Sequence, residues 1–244
     1  DSVMACGAVL EADVSKGPSI LRQLGETDDT CAVLRGAATP DLIAASRQFC
    51  DDVEVLDVHL WEGIDAIADE PVEEQFQRQL KEDLSEEKGA DVWLPLACEF
   101  VRTLVTTYDK ASLPQLKGHK FALRMQINLS DACIKFHDDF VGVRATVALC
   151  GDTTVVAPAS KVNWEFWDET KGHLRNANTS DVREFNAKVC AQEDEFQPQK
   201  GDILLMKGGA FSPLRPCVHR APYSAEFTED VNQARRILVT LDYL

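Results

Sequence analysis

The segment Cys133-Ile-Lys-Phe-His137-Asp-Asp139 places an imidazole and a carboxylate two residues apart. On extended backbone, side chains at i and i+2 project to the same side, so His137 and Asp139 can address one point from a single strand edge. Far downstream, Pro216-Cys-Val-His219-Arg220 supplies a second imidazole. Two imidazoles and one carboxylate with coordination positions left open form the donor set of mononuclear non-haem iron sites. His137, Asp139 and His219 are therefore read as metal ligands. Cys133 and Cys217 stand close before the two histidines. Thiolate together with imidazole suits zinc better than iron, so the two thiols are either zinc ligands or buried hydrophobes.

Three arginines are candidates for binding an anion. A guanidinium grips a carboxylate through two parallel hydrogen bonds. Arg144 and Arg236 lie inside apolar runs, where a lone charge is costly unless paired. Each therefore faces a ligand pocket, in a catalytic or cofactor-binding role, or closes a salt bridge with an acid. Arg220 is a further cofactor-binding candidate, although it follows His219 directly and points away from it if that stretch is extended. Trp164, Phe166 and Trp167 lie close together and either line a substrate pocket or form a core patch. His59, His119 and His173 sit in polar surroundings and read as surface residues.

These residues need a frame, and periodicity supplies one. From Phe121 to Leu129 the odd positions are apolar and most even ones polar, the pattern of a half-buried strand. Further strands are expected at 143–149, 153–157, 203–207 and 235–242, separated by Gly-Asp and Gly-Gly turns. Strands in succession without helices between them point to a sandwich or barrel. Residues 159–195 interrupt this series as a polar insertion with some helix near 180–189. Before it, 1–90 reads as a helical and mixed region. It holds a short helix at 19–24, a strand at 30–35, a possible strand at 54–61 and a charged surface helix at 73–84. Thr39-Pro40 opens another helix, with Thr39 as N-cap and Pro40 in the first turn. Asp91 to Tyr108 carries Trp93, Leu96, Phe100, Leu104 and Tyr108 at three-and-four spacing and is a helix that packs across a sheet. Residues 113–119 read as a loop. The fold class read from this pattern is α+β, with N-terminal helices on a C-terminal sandwich or barrel over 91–244, the whole forming one compact unit.

Composition narrows the partners. The formal charge of −16 argues against nucleic acid and against anionic membrane surfaces. No apolar run approaches the roughly 18–20 residues needed to span a bilayer. The eight cysteines are scattered without a CxxC pair, unlike a disulfide framework. With no basic-then-apolar leader after Asp1, a reducing, cytoplasmic setting is expected. The expected partner is a small-molecule or peptide substrate.

The stretch from about Val92 onward resembles the family catalogued as domain of unknown function 1826. The matching pieces, in order, are Cys133-Ile-Lys-Phe-His137-Asp-Asp139, Arg144, and Gly151-Asp-Thr-Thr. Then come Lys200-Gly-Asp-Ile-Leu-Leu-Met-Lys-Gly208, Val218-His219-Arg220-Ala-Pro222 and Arg236-Ile-Leu-Val-Thr-Leu-Asp242. More loosely, the chain is similar to the iron- and 2-oxoglutarate-dependent oxygenases of the prolyl-hydroxylase type. His137 and Asp139 match their HxD pair, Arg144 and Thr146 the following strand, and His219 the distal histidine. That resemblance implies that the C-terminal unit of the α+β fold is a double-stranded β-helix (jelly-roll/cupin-like), with Fe(II) and 2-oxoglutarate as cofactors and Arg236 binding the cosubstrate's carboxylate. The alternatives are a zinc-dependent hydrolase or hydratase and a non-catalytic metal-binding protein.

Overall fold

The computed structural model describes residues 9–61, 70–108, 120–129, 133–170, 179–212, 214–223 and 235–244. The expected loop at 113–119, with His119, and His173 lie outside them.

The alternation over 121–129 is realised as a nine-residue strand, β4 (Phe121–Leu129). It pairs along its whole length with the last strand, β9 (Arg235–Tyr243). Around this pair a seven-stranded sheet is built from β1 (Leu10–Asp13), β2 (Cys31–Arg35), β3 (Asp57–Trp61), β5 (Val143–Cys150) and β7 (Ile203–Lys207). The strand order is β1-β2-β7-β5-β9-β4-β3. The β1–β2 pair is parallel and the other pairs are antiparallel. A smaller sheet pairs β6 (Val155–Ala157) with β8 (Val218–Arg220). Single bridges widen it, His137 to His219 on one side and Phe196 to Val156 on the other. Two facing antiparallel sheets of this kind make a double-stranded β-helix.

The period of two decides what each face meets. Leu123, Met125, Val143, Ala145, Val147, Val239 and Leu241 face outward from the large sheet into the main core. The same core takes residues of α1 (Gly17–Glu26), α2 (Pro40–Asp52), α3 (Val72–Leu84) and α4 (Ala90–Thr107). These helices form for the expected reasons. The Thr39 hydroxyl accepts from Leu42 N–H at 3.2 Å, with Pro40 in the first turn of α2. Phe76, Leu80 and Leu84 make the buried stripe of α3. In α4, Trp93 stacks on Phe49 at 4.1 Å between ring centroids and donates to the Ser46 hydroxyl at 2.9 Å.

The insertion forms α5 (Trp164–Thr170) and α6 (Thr179–Val189). Trp167, Phe185 and Val189 bury against Phe136, Val155, Ala157 and Val218 on the outer side of the small sheet. Trp164 and Phe166 pack on the same cluster, so the three aromatics form a core patch and do not line the cavity.

The region 1–90 is mixed, as expected, with β2 and β3 falling on the strands read at 30–35 and 54–61. It contributes β1, β2 and β3 to the large sheet, with β1 and β3 as the sheet's two outer strands. β1 carries only four residues, too few for alternation to register in sequence. No helix among the described residues is long and apolar enough to cross a membrane.

Candidate metal centre

Parity in the small sheet places the first imidazole pair. In β8 Val218 faces outward into the cluster under α5 and α6, so His219 on the next residue faces inward. The backbones of His137 and His219 exchange two hydrogen bonds, each 2.9 Å. Their rings lie 4.5 Å apart, centroid to centroid. Asp139 follows just past this bridge, in the loop leading to β5. One donor atom from each of His137, Asp139 and His219 fits within 4.8 Å of the others.

Hydrogen bonds from the chain itself fix both imidazoles. His137 Nδ1 lies 2.8 Å from the Lys135 carbonyl, and His219 Nδ1 lies 3.2 Å from the Cys217 carbonyl. A carbonyl only accepts, so each Nδ1 carries the proton and each Nε2 presents a lone pair. This is the arrangement that orients metal-binding histidines. His219 Nε2 lies 3.0 Å from the Asp139 carboxylate; without metal a second proton, on Nε2, makes this contact a hydrogen bond, and a bound cation takes that proton's place. Burial, reinforced by His219, pushes the His137 imidazole down to about 4, which keeps it in its neutral, ligating form. For Asp139 burial acts upward. The hydrogen bond and charge of His219, with Arg144 and His137, outweigh it and hold the carboxyl well below the usual carboxylate range.

The loop carrying Asp139 is pinned by the Gly208-Gly209 turn after β7. Gly209 N–H donates to the Asp139 carbonyl at 2.7 Å, and Gly208 N–H to the Gly142 carbonyl at 2.9 Å. A Cβ on Gly208 would sit 2.2 Å from the Val141 carbonyl oxygen, so only glycine permits this approach. The segment carrying His137 is held from the other side by Asn186 of α6. Its Oδ1 accepts from Phe136 N–H at 2.8 Å, and its Nδ2 donates to the Ile134 carbonyl at 2.8 Å and to the Tyr223 hydroxyl.

Both imidazoles sit on the wall of a cavity of about 500 Å³ between the sheets. Its floor is the inward face of the large sheet, including Arg124 and Gln126 of β4, Arg144 and Thr146 of β5, and Arg236, Leu238, Thr240 and Asp242 of β9. Arg236 is 4% exposed. Burial pushes its guanidinium down to about 10, against the opposing pull of Cys133 and Asp152. Gly151, at φ +76°, lies so close that a Cβ there would meet the Arg236 Cβ at 2.5 Å. The Thr146 hydroxyl is buried without a hydrogen bond among the described residues.

Several expected roles change. Neither Cys133 nor Cys217 joins the donor group. Cys217 is buried in an apolar cluster with Cys31, Val33, Leu204 and Met206, where burial and the neighbouring Cys31 thiol push its own thiol well up. Cys133 is exposed on a residue with φ +61°. Arg144 is engaged by acids, with Nε and Nη2 donating to Asp242 at 2.6 and 2.7 Å and Nη1 donating to Asp139. Arg220 takes the outward parity of β8. It pairs with Glu195 at 2.7 Å and packs over the rings of Phe136 and Tyr223, and it also lines the cavity. His59, expected at the surface, lines the cavity and accepts at Nδ1 from Trp61 Nε1 at 3.1 Å. Sequence reasoning missed Asp242 and Asn186. Asp242 shares the parity of Arg236 on β9 and was findable from the period of two. Asn186 carries no local signal, because its partners lie far away in sequence.

No curated protein matches the chain. Among solved structures, the dioxygenase for auxin oxidation 1 from Arabidopsis thaliana, as its 2-oxoglutarate binary complex, aligns at 9% identity. The alignment covers 97% of this chain and 92% of that one, with a TM-score of 0.47. A prolyl-4-hydroxylase from Pseudomonas putida aligns at 11% identity over 93% of this chain and 97% of that one, with a TM-score of 0.37. A family profile matches from well before Val92, taking in the N-terminal strands and helices together with the candidate metal centre. Over residues 15–242 the chain belongs to the family described as protein of unknown function (DUF1826).

Proposed function

We propose that the protein is an oxygenase that uses Fe(II) and 2-oxoglutarate. The observation that carries this reading is the convergence of His137, Asp139 and His219 beside a cavity that both imidazoles and Arg236 line. Two imidazoles and one carboxylate, with no thiol in the group, suit iron with open coordination positions. The exclusion of Cys133 and Cys217 removes the ground for a closed zinc site. When bound, iron and 2-oxoglutarate together supply O₂-dependent oxidation of a substrate, with the cosubstrate converted to succinate and CO₂.

The chain's own residues divide the remaining work. His137, Asp139 and His219 hold the metal, and the carbonyls of Lys135 and Cys217 keep both imidazoles in the ligating tautomer. Arg236, buried in the cavity floor, binds the far carboxylate of 2-oxoglutarate by a charge-assisted pair. The buried Thr146 hydroxyl offers a further hydrogen bond on the same floor. A small-molecule or peptide substrate enters past His59, Trp61, Arg124 and Phe140, which line the cavity away from Arg236.

The test is metal analysis of protein purified without chelator, followed by anaerobic titration of the Fe(II) form with 2-oxoglutarate. Near-stoichiometric iron and a new visible charge-transfer band on adding 2-oxoglutarate are expected. Stoichiometric zinc, or iron with no response to 2-oxoglutarate, would overturn the reading.

A further inference from the structure

We propose that Asp242 is a positioning residue for the metal centre, acting through Arg144 to fix the Asp139 carboxylate beside His219. This rests on the reading of His137, Asp139 and His219 as metal ligands. The register of the large sheet sets Arg144 of β5 directly opposite Asp242 of β9. Both Asp242 oxygens accept from the Arg144 guanidinium, from Nε at 2.6 Å and from Nη2 at 2.7 Å. That fork leaves Nη1 as the donor aimed at Asp139 Oδ2. The result is a chain of three charges, Asp242, Arg144 and Asp139, anchored in paired β strands and ending at a ligand held in a loop.

Two consequences follow from this chemistry. The oxygen that Arg144 engages, Asp139 Oδ2, is also the one 3.0 Å from His219 Nε2, so the guanidinium fixes how the carboxylate is presented beside the imidazoles. Charge is the second consequence. Arg144 alone would cancel Asp139 and present a neutral pair to an incoming dication. With Asp242 the three groups sum to one negative charge, which favours a divalent ion in a partly buried site. A neutral Asp242 would therefore weaken metal binding although it never touches the metal.

The experiment is calorimetric titration of Mn(II), with absorption spectra of the Co(II) form, on wild type, Asp242→Asn, Asp242→Glu, Arg144→Lys, Arg144→Gln and the Arg144→Gln/Asp242→Asn double variant. Asp242→Asn is expected to weaken Mn(II) binding by about tenfold or more, the usual size of an effect one shell out from a metal, and to shift the Co(II) bands. Asp242→Glu is expected to recover part of both. Asp242→Asn should add little in the Arg144→Gln background, because the two act as one unit. Should Asp242→Asn fail to fold, Arg144→Lys carries the same test, since it keeps the charge and loses the fork; unchanged Co(II) bands there count against the proposal. Wild-type affinity and spectrum in Asp242→Asn, or fully additive losses in the double variant, would overturn it. Wild-type protein that binds neither Mn(II) nor Co(II) would instead overturn the metal-site reading, and this proposal with it.

Discussion

The Asn186 side chain treats the backbone of Phe136 as a neighbouring strand would. It accepts from the Phe136 N–H and, through the other end of its amide, donates to the Ile134 carbonyl, both at 2.8 Å. The inserted helix α6 thus closes the free edge of the segment that delivers His137, which gives the insertion a structural task beside the metal centre.

Replacing Asn186 by alanine leaves a buried N–H and a carbonyl without their partner. A loss of about 1–3 kcal/mol in unfolding free energy is expected, measured by urea titration. The His137 strand should also loosen, so Mn(II) affinity should fall in the folded variant. A variant as stable as wild type would show that the clamp contributes nothing.

His137→Ala and His219→Ala should each abolish stoichiometric metal, whereas Cys133→Ser and Cys217→Ser should retain it. The Co(II) form of the wild type should lack a thiolate charge-transfer band, because neither sulfur belongs to the donor group. Metal loss in either serine variant would return the site to the zinc-thiolate class.

Arg236→Gln should weaken 2-oxoglutarate binding to the metal-loaded protein by at least about tenfold, the loss of one buried charge-assisted pair. Mn(II) affinity should stay near wild type, because Arg236 is absent from the donor group. Isothermal titration with each ligand separates the two effects. Equal loss of both would assign Arg236 to the frame and not to the cosubstrate.

Acid should destabilise the metal-free protein. His137 stays neutral down to about 4 in the folded chain, against about 6.5 for an unperturbed imidazole. Between those values the unfolded chain holds a proton that the native one lacks, so stability falls as pH drops through the window. The contribution is at most on the order of 3 kcal/mol. Asp139 acts in the same direction at lower pH, since its folded carboxyl is depressed and its stabilisation is lost as pH falls. Urea unfolding of chelator-treated protein between about pH 7 and pH 4 should show the decline, shallower in His137→Ala. Parallel curves for the two proteins would rule out His137 as its source.

Gly208→Ala should cost about 1–3 kcal/mol, because the added methyl collides with the Val141 carbonyl and not with a side chain that can turn aside. The displaced loop carries Asp139, so metal affinity should drop with stability. Thermal unfolding paired with Mn(II) titration checks both.

The sequence by itself determined a good deal here. Alternation over 121–129 set the strand that became β4, because a half-buried strand must present one apolar face, and the apolar run at 235–242 set β9. Three-and-four spacing located α3 and α4, and Thr39-Pro40 located the start of α2. Residue chemistry alone singled out His137, Asp139 and His219 as one group.

Only the tertiary structure decided what lies across from what. The four-residue strand β1 is too short to show a period, and it forms because β2 offers a partner. Arg144 and Arg236 look alike in sequence, each a cation within an apolar run. The β5–β9 register sets the first opposite Asp242, while the second lies buried in the cavity floor beside Gly151. Cys217 stands two residues from His219 yet sits against Cys31 and Met206. Asn186 reaches Phe136 from 50 residues further along the chain. Such pairings depend on which chain segments meet after folding, and local residue patterns carry no record of that.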